Sequence, residues 1–172
     1  TKGSNSTALG YNALQTQNFT SAADSNNTAV GHFAGTAITT GQANTLIGMV
    51  AGDALTDADH NVAIGVGALS TDTLGSRSTA IGKNSLTTQN FTSAADTNNT
   101  AIGYESGKGI TSGSNNLLVG VNAGASTLNI TTGNQNILIG NFADTSAVDS
   151  GLQIAMGYNV TCTGDSNFTF GG

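Results

Sequence analysis

Aliphatic side chains occur along this chain in clusters of two or three, each opened by a polar residue and closed by a glycine. The pattern is first seen in Ser6-Thr7-Ala8-Leu9-Gly10, Asn27-Thr28-Ala29-Val30-Gly31, Asn44-Thr45-Leu46-Ile47-Gly48 and Asn61-Val62-Ala63-Ile64-Gly65. It continues in Ser78-Thr79-Ala80-Ile81-Gly82, Asn99-Thr100-Ala101-Ile102-Gly103, Asn116-Leu117-Leu118-Val119-Gly120 and Asn136-Ile137-Leu138-Ile139-Gly140. A weaker ninth copy ends in Ala155-Met156-Gly157, and Asn167 to Gly171 resembles a degenerate tenth. Runs this short, rich in Thr, Val and Ile, predict strands of four or five residues and not helices. Side chains alternate faces along a strand, so Thr28 and Val30 share one face and Ala29 and Gly31 the other. The aliphatic face is expected to line the interior, leaving the Ala/Gly face as a contact surface.

The repeat glycines Gly10, Gly31, Gly48, Gly65, Gly82, Gly103, Gly120, Gly140 and Gly157 follow one another at intervals of 21, 17, 17, 17, 21, 17, 20 and 17 along the chain. A short period of this kind is the signature of a stacked repeat architecture. The fold class expected is therefore all-β, a β-roll or β-solenoid of nine or ten coils, each of about 17–21 residues. The longer coils carry insertions that themselves repeat: the stretch from Thr16 to Asp24 returns unchanged from Thr88 to Asp96. A four-coil block near 10–81 is thus duplicated near 82–157. The roll is expected over 1–160, with 161–172 as a degenerate last coil or C-terminal extension. Short segments after each glycine, such as Ala13-Leu14 and Ala68-Leu69, read as the return side of each coil, and Thr39-Thr40-Gly41 and its equivalents as turns. Proline is absent, as expected where backbone N–H groups are needed between coils.

Gly, Asn, Thr and Ser make up half of the chain, a bias that raises disorder as an alternative. The clustering of the 37% hydrophobic residues argues for a folded chain. Charged residues are 8% of the total and the formal net charge is −6, with Lys2, Arg77, Lys83 and Lys108 scattered. That distribution disfavours nucleic acid, whose phosphates call for clustered cations. No apolar run approaches the length of a membrane span, so no membrane insertion is expected. The single Cys162 excludes an internal disulfide framework and reads as a small apolar side chain.

Candidate chemistry is sparse. His32 occupies a position filled elsewhere by Tyr11, Met49, Val66, Lys83 and Tyr104, which marks a tolerant repeat position, and His60 follows Asp57-Ala58-Asp59 in a polar turn. Neither suggests a catalytic triad, and no calcium-binding Gly-Gly-x-Gly-x-Asp nonapeptide occurs. No catalytic, cofactor or metal residue is assigned, and the chain is read as a non-enzyme. Phe19 with Asp24 and Phe91 with Asp96, in the duplicated insertions, are the candidate surface-contact loops. Phe19 and Phe91 either stack on a sugar or pack onto the coil, with packing preferred, and Asp24 and Asp96 are expected to close Asx-turns. Tyr11, Tyr104 and Tyr158 follow repeat glycines as outward aromatic positions. Ice binding would require a flat Thr lattice, whereas Thr is read here as belonging mostly to turns.

The Asn-Thr-Ala-Ile/Val-Gly motif, followed by Tyr and a small residue and spaced by Thr-Thr-Gly-Asn turns, resembles the repeats of phage tail-fibre proteins. It is also similar to the shorter head repeats of trimeric autotransporter adhesins. The resemblance spans Ser6 to about Gly157 and implies a parallel homotrimeric fibre on a virion. Its partners would be copies of itself, other virion or cell-surface fibre proteins, and a host-surface glycan or protein. The alternative is a bacterial surface adhesin or extracellular filament subunit. A more distant class, a carbohydrate-active fibre, would need acidic pairs converging in a groove.

Overall fold

The computed structural model describes residues 3–19, 23–126 and 129–171. Among them there is no helix, and the chain winds as a parallel β-solenoid of about nine turns. One three-residue strand from each coil enters a ten-stranded parallel sheet in chain order, from Thr7–Leu9 through Thr28–Val30, Thr45–Ile47, Val62–Ile64 and Thr79–Ile81 to Thr100–Ile102, Leu117–Val119, Ile137–Ile139, Ile154–Met156 and Phe168–Phe170. Register is strict, so that Ala29 pairs with Leu46, Leu46 with Ala63 and Ala63 with Ala80. With strands about 4.8 Å apart, the sheet is roughly 43 Å long. Two short parallel pairs, Gly3–Ser4 with Ala23–Asp24 and Gly75–Ser76 with Ala95–Asp96, form where the duplicated insertions leave the coil. Thr20, Ser21 and Ala22 of the first insertion, and Lys2 among the scattered bases, lie outside the described residues.

Strands are shorter than the repeat motif suggests because each coil turns sharply at left-handed corners. One corner precedes the strand, at Asn26, Ala43, His60, Arg77, Asn98 and Asn115, all with φ between 49° and 64°. Another lies two residues beyond the repeat glycine, at Asn12, Phe33, Val50, Asn84 and Glu105. Asn tolerates this conformation better than most residues, and much of the Asn content is spent here. The repeat glycines meet a stricter demand. Gly48 and Gly65 have φ of 134° and 131°, and a Cβ on either would lie 2.6 Å from the carbonyl oxygen of the next coil's glycine. Only a residue without a side chain allows backbones to stack so closely at that φ.

The interior is the reverse of the sequence expectation. In the eight inner strands the middle residue points inward: Ala29, Leu46, Ala63, Ala80, Ala101, Leu118, Leu138 and Ala155 are fully buried. The flanking Thr/Val and aliphatic positions point outward, and Ile47 and Ile102 are each 38% exposed. The roll is so thin that each strand supplies one inward side chain, and most of these must be small. The return side fills what remains. Coils with Gly at the return position carry a large aliphatic residue three positions later, as in Gly35 with Ile38, Gly52 with Leu55 and Gly107 with Ile110. Coils with Leu there have a buried polar residue instead, as in Leu14 with Gln17, Leu69 with Asp72 and Leu86 with Gln89. Each of these cross-sections thereby keeps a large apolar group, as close packing requires.

A second set of asparagines forms a buried ladder along the rod. The Oδ1 of Asn27 accepts from the backbone N–H of Asn44 at 2.9 Å and from its Nδ2 at 3.1 Å. The Nδ2 of Asn44 also donates to the Ala58 carbonyl at 2.8 Å, across its own coil. Asn44 in turn accepts from the N–H of Asn61, and Asn61 from that of Ser78. Asn99, Asn116 and Asn136 repeat the arrangement, which ends on the N–H of Gln153. Each amide therefore satisfies buried backbone groups of two coils that would otherwise lack partners. Asn44→Ala removes the acceptor for the Asn61 N–H and the donor for the Ala58 carbonyl. The expected loss is about 2–4 kcal/mol, read from the urea midpoint. Gly65→Ala, which forces a Cβ against the Gly82 carbonyl, is expected to lower that midpoint at least as far.

Candidate functional site

The feature that dominates the surface is the outward face of the ten-stranded sheet. Its first row reads Thr7, Thr28, Thr45, Val62, Thr79, Thr100, Leu117, Ile137, Ile154 and Phe168. Its second row reads Leu9, Val30, Ile47, Ile64, Ile81, Ile102, Val119, Ile139, Met156 and Phe170. Neither row holds a charged side chain. At about 10 Å for three residues and some 43 Å of length, the strip covers on the order of 400 Å². Beyond the repeat glycines runs a column of mixed character in which Tyr11, Met49, Tyr104 and Tyr158 are all exposed. His32 belongs to it, stacked on Tyr11 at 5.4 Å and set edge-on to Phe33 at 4.3 Å.

The face corrects two readings of the sequence. The Ala residues expected at a contact surface are core, and the aliphatic residues expected in the core are the surface. Threonine, expected mostly in turns, also forms part of an outward row at Thr7, Thr28, Thr45, Thr79 and Thr100. Val62 interrupts that row, and from Leu117 onward it is apolar, so the hydroxyl lattice is not continuous. The sequence carries a trace of this arrangement. Where the return side holds Leu14, Leu69 or Leu86, the middle strand residue is Ala8, Ala63 or Ala80, whereas Leu46 and Leu118 go with Gly52 and Gly124.

The duplicated insertions are more deeply built into the coil than their polarity suggests. Phe19 is buried, and Phe91 is half-buried with its N–H donating to Asp72 Oδ1 at 3.0 Å. In the two 21-residue coils the ladder position holds Ser instead of Asn, and a Gln from the insertion supplies the missing carbonyl. Gln17 Oε1 accepts from Asn27 Nδ2 at 3.2 Å, and Gln89 Oε1 from Asn99 Nδ2 at 2.9 Å. Ser78 sits between Gln89 and Thr97, hydrogen-bonded to both. The sequence carries this signal too, because Ser6 and Ser78 replace Asn in the coils that carry Thr16–Asp24 and Thr88–Asp96.

Asp24 and Asp96 are exposed and lie in equivalent places four coils apart, so they do not converge on one site. Asp24 Oδ1 accepts from Asn5 Nδ2 at 3.0 Å, and Asp96 pairs with Arg77 at 3.1 Å. Within the local turn, Asn26 and Asn98 donate through Nδ2 to the carbonyls of Asp24 and Asp96. An open groove of about 450 Å³ beside the second insertion is lined by Asp57, Asp59, Ser76, Ala94, Ala95 and Asp96. Asp57 accepts from the Thr40 hydroxyl at 2.5 Å and Asp59 from the Gln42 N–H at 2.7 Å. Among the described residues no three His, Cys, Asp or Glu side chains are grouped to hold a metal ion. His60 is exposed at a left-handed corner. Cys162 is buried in the core, where burial pushes its thiol up, away from a thiolate. No helix among the described residues is long and apolar enough to cross a membrane. Compared with known families, characterised proteins and solved structures, the chain matches none of them.

Asp53, on the return side after Gly52, has a buried Oδ1 with no hydrogen-bond partner, and burial raises its pKa. Its protonated form is favoured by folding. Its contribution to stability is therefore full below the unfolded-state value and is lost as pH rises through the higher folded value. The equivalent residue in the next coil is Ser70. Asp53→Ser is expected to raise the melting temperature at pH 7 and to diminish that gain towards pH 4, as followed by thermal scans of both proteins across that range.

Proposed function

We propose that this chain is a structural fibre segment of a phage virion, a parallel homotrimer of β-solenoids that spaces or presents receptor-binding parts. The observation that carries the proposal is the uncharged outward strip. A single chain leaves ten pairs of stacked side chains facing solvent along one straight side. Contiguous exposed apolar patches rimmed by polar residues are often functional contact surfaces, and the C-terminal rows of the strip form one. Copies set side by side about a common long axis would cover it, and the covered face would supply burial that the thin roll lacks. The repeat motif, with its resemblance to tail-fibre repeats, supports the virion as the location. A non-enzymatic, load-spacing role goes with this reading.

The groove beside the second insertion favours a second reading, a bacterial surface adhesin or extracellular filament subunit. In that case the loop carrying Ala94, Ala95 and Asp96 would take a host-surface glycan or protein.

Sedimentation of the native chain tests the first reading. The expected particle has three times the 17.0 kDa chain mass. Ile81→Lys, which places a charge at the middle of the outward strip, is expected to disperse it into folded monomers. A wild-type chain that stays monomeric at high micromolar concentration overturns the trimeric fibre.

A further inference from the structure

The outward strip is not uniform along its length. In the six N-terminal rows, Thr7/Leu9, Thr28/Val30, Thr45/Ile47, Thr79/Ile81 and Thr100/Ile102 each carry a hydroxyl, and Val62/Ile64 alone does not. In the four C-terminal rows, Leu117/Val119, Ile137/Ile139, Ile154/Met156 and Phe168/Phe170, all eight side chains are apolar. Phe168 and Phe170 are 61% and 77% exposed.

We infer that the partner of this strip is an identical chain in parallel register, and that association is concentrated in the four C-terminal rows. This rests on the parallel homo-oligomeric reading above and adds that the copies are in step and where the association energy lies. A Thr hydroxyl driven into a dry interface must find a partner or lose its hydration, which offsets the gain from its methyl group. The N-terminal rows therefore retain water between copies, whereas the C-terminal rows exclude it. Parallel in-register copies set apolar rows against apolar rows. An antiparallel arrangement would set Phe168/Phe170 against Thr7/Leu9 and Ile154/Met156 against Thr28/Val30, and only the Val62/Ile64 row, facing Leu117/Val119, would make a fully dry contact. Because no row holds a charge, copies of an acidic chain do not repel one another across this face. The C-terminal rows are then where copies first lock together, and the hydroxyl-bearing rows follow.

Two matched double variants of the full chain separate this inference from the reading beneath it. Ile137→Thr with Ile154→Thr gives two C-terminal rows the chemistry of the N-terminal ones, and Ile47→Thr with Ile64→Thr removes the same atoms from the N-terminal half. Dissociation constants come from sedimentation equilibrium, with far-UV circular dichroism confirming that dispersed chains keep their β-structure. The C-terminal pair is expected to weaken association at least tenfold more than the N-terminal pair, about 1.4 kcal/mol. Equal effects, or a larger one from the N-terminal pair, would overturn the concentration at the C-terminal rows while leaving homo-association intact. A wild-type monomer would instead sink both. Should either pair fail to fold, Thr45→Val with Thr79→Val offers the converse test, since it dries two N-terminal rows. It is expected to tighten association severalfold, and an unchanged constant would overturn the wet N-terminal seam.

Discussion

The stacked amide ladder is the constraint on which the rest of this structure depends. A thin roll has little apolar interior, and its backbone turns through left-handed and glycine corners in every coil, each of which strands polar groups away from a regular sheet. From Asn27 to Asn61, and again from Asn99 to Asn136, one side chain per coil accepts from the backbone of the next coil and donates across its own. The geometry closes only if every coil sits in the same register as its neighbours. That requirement fixes the coil period, lines up the repeat glycines and keeps the outer rows straight. Polar satisfaction, more than hydrophobic burial, sets the shape here.

The period, the all-β class and the parallel stacking were legible because a strict spacing of motif glycines leaves few alternatives. Which face lies inside was not. Burying the larger aliphatic residues is a sound rule for a sheet packed on a helix or on a second sheet. Here Ala29 and Ala63 are inside and Ile47 is out, because the opposite wall of the coil is only a side chain away. The signal that would have reversed the assignment was present in the pairing of Leu46 and Leu118 with Gly52 and Gly124 on the return side, where each glycine Cβ would collide with a leucine methyl. In sequence the insertions read as loops whose Phe19 packs down onto the coil. Their polar contribution went unseen, since Ser6 and Ser78 gain meaning only when Gln17 and Gln89 are known to reach the vacated rung.

The outward strip and the insertions divide the molecule into two kinds of surface. One is continuous, uncharged and identical in period to itself, a shape suited to copies of the same chain. The other is interrupted, polar and local, with the Arg77–Asp96 pair and the carboxylates of Asp57 and Asp59 held by hydrogen bonds. An exposed ion pair such as Arg77–Asp96 adds little stability to the rod. Both surfaces come from the same repeating unit: outward strand positions make the first, and relaxed turn length makes the second.

The duplicated block carries a consequence for length. Three short coils and one long one bring the chain back to an equivalent rung, glycine and outer row. Copying the block once more would add about 19 Å to the rod and leave its cross-section and lateral face unchanged. Such a molecule behaves as a ruler graduated in coils, whose reach is set by the number of coils while the rules that hold it together stay as they are.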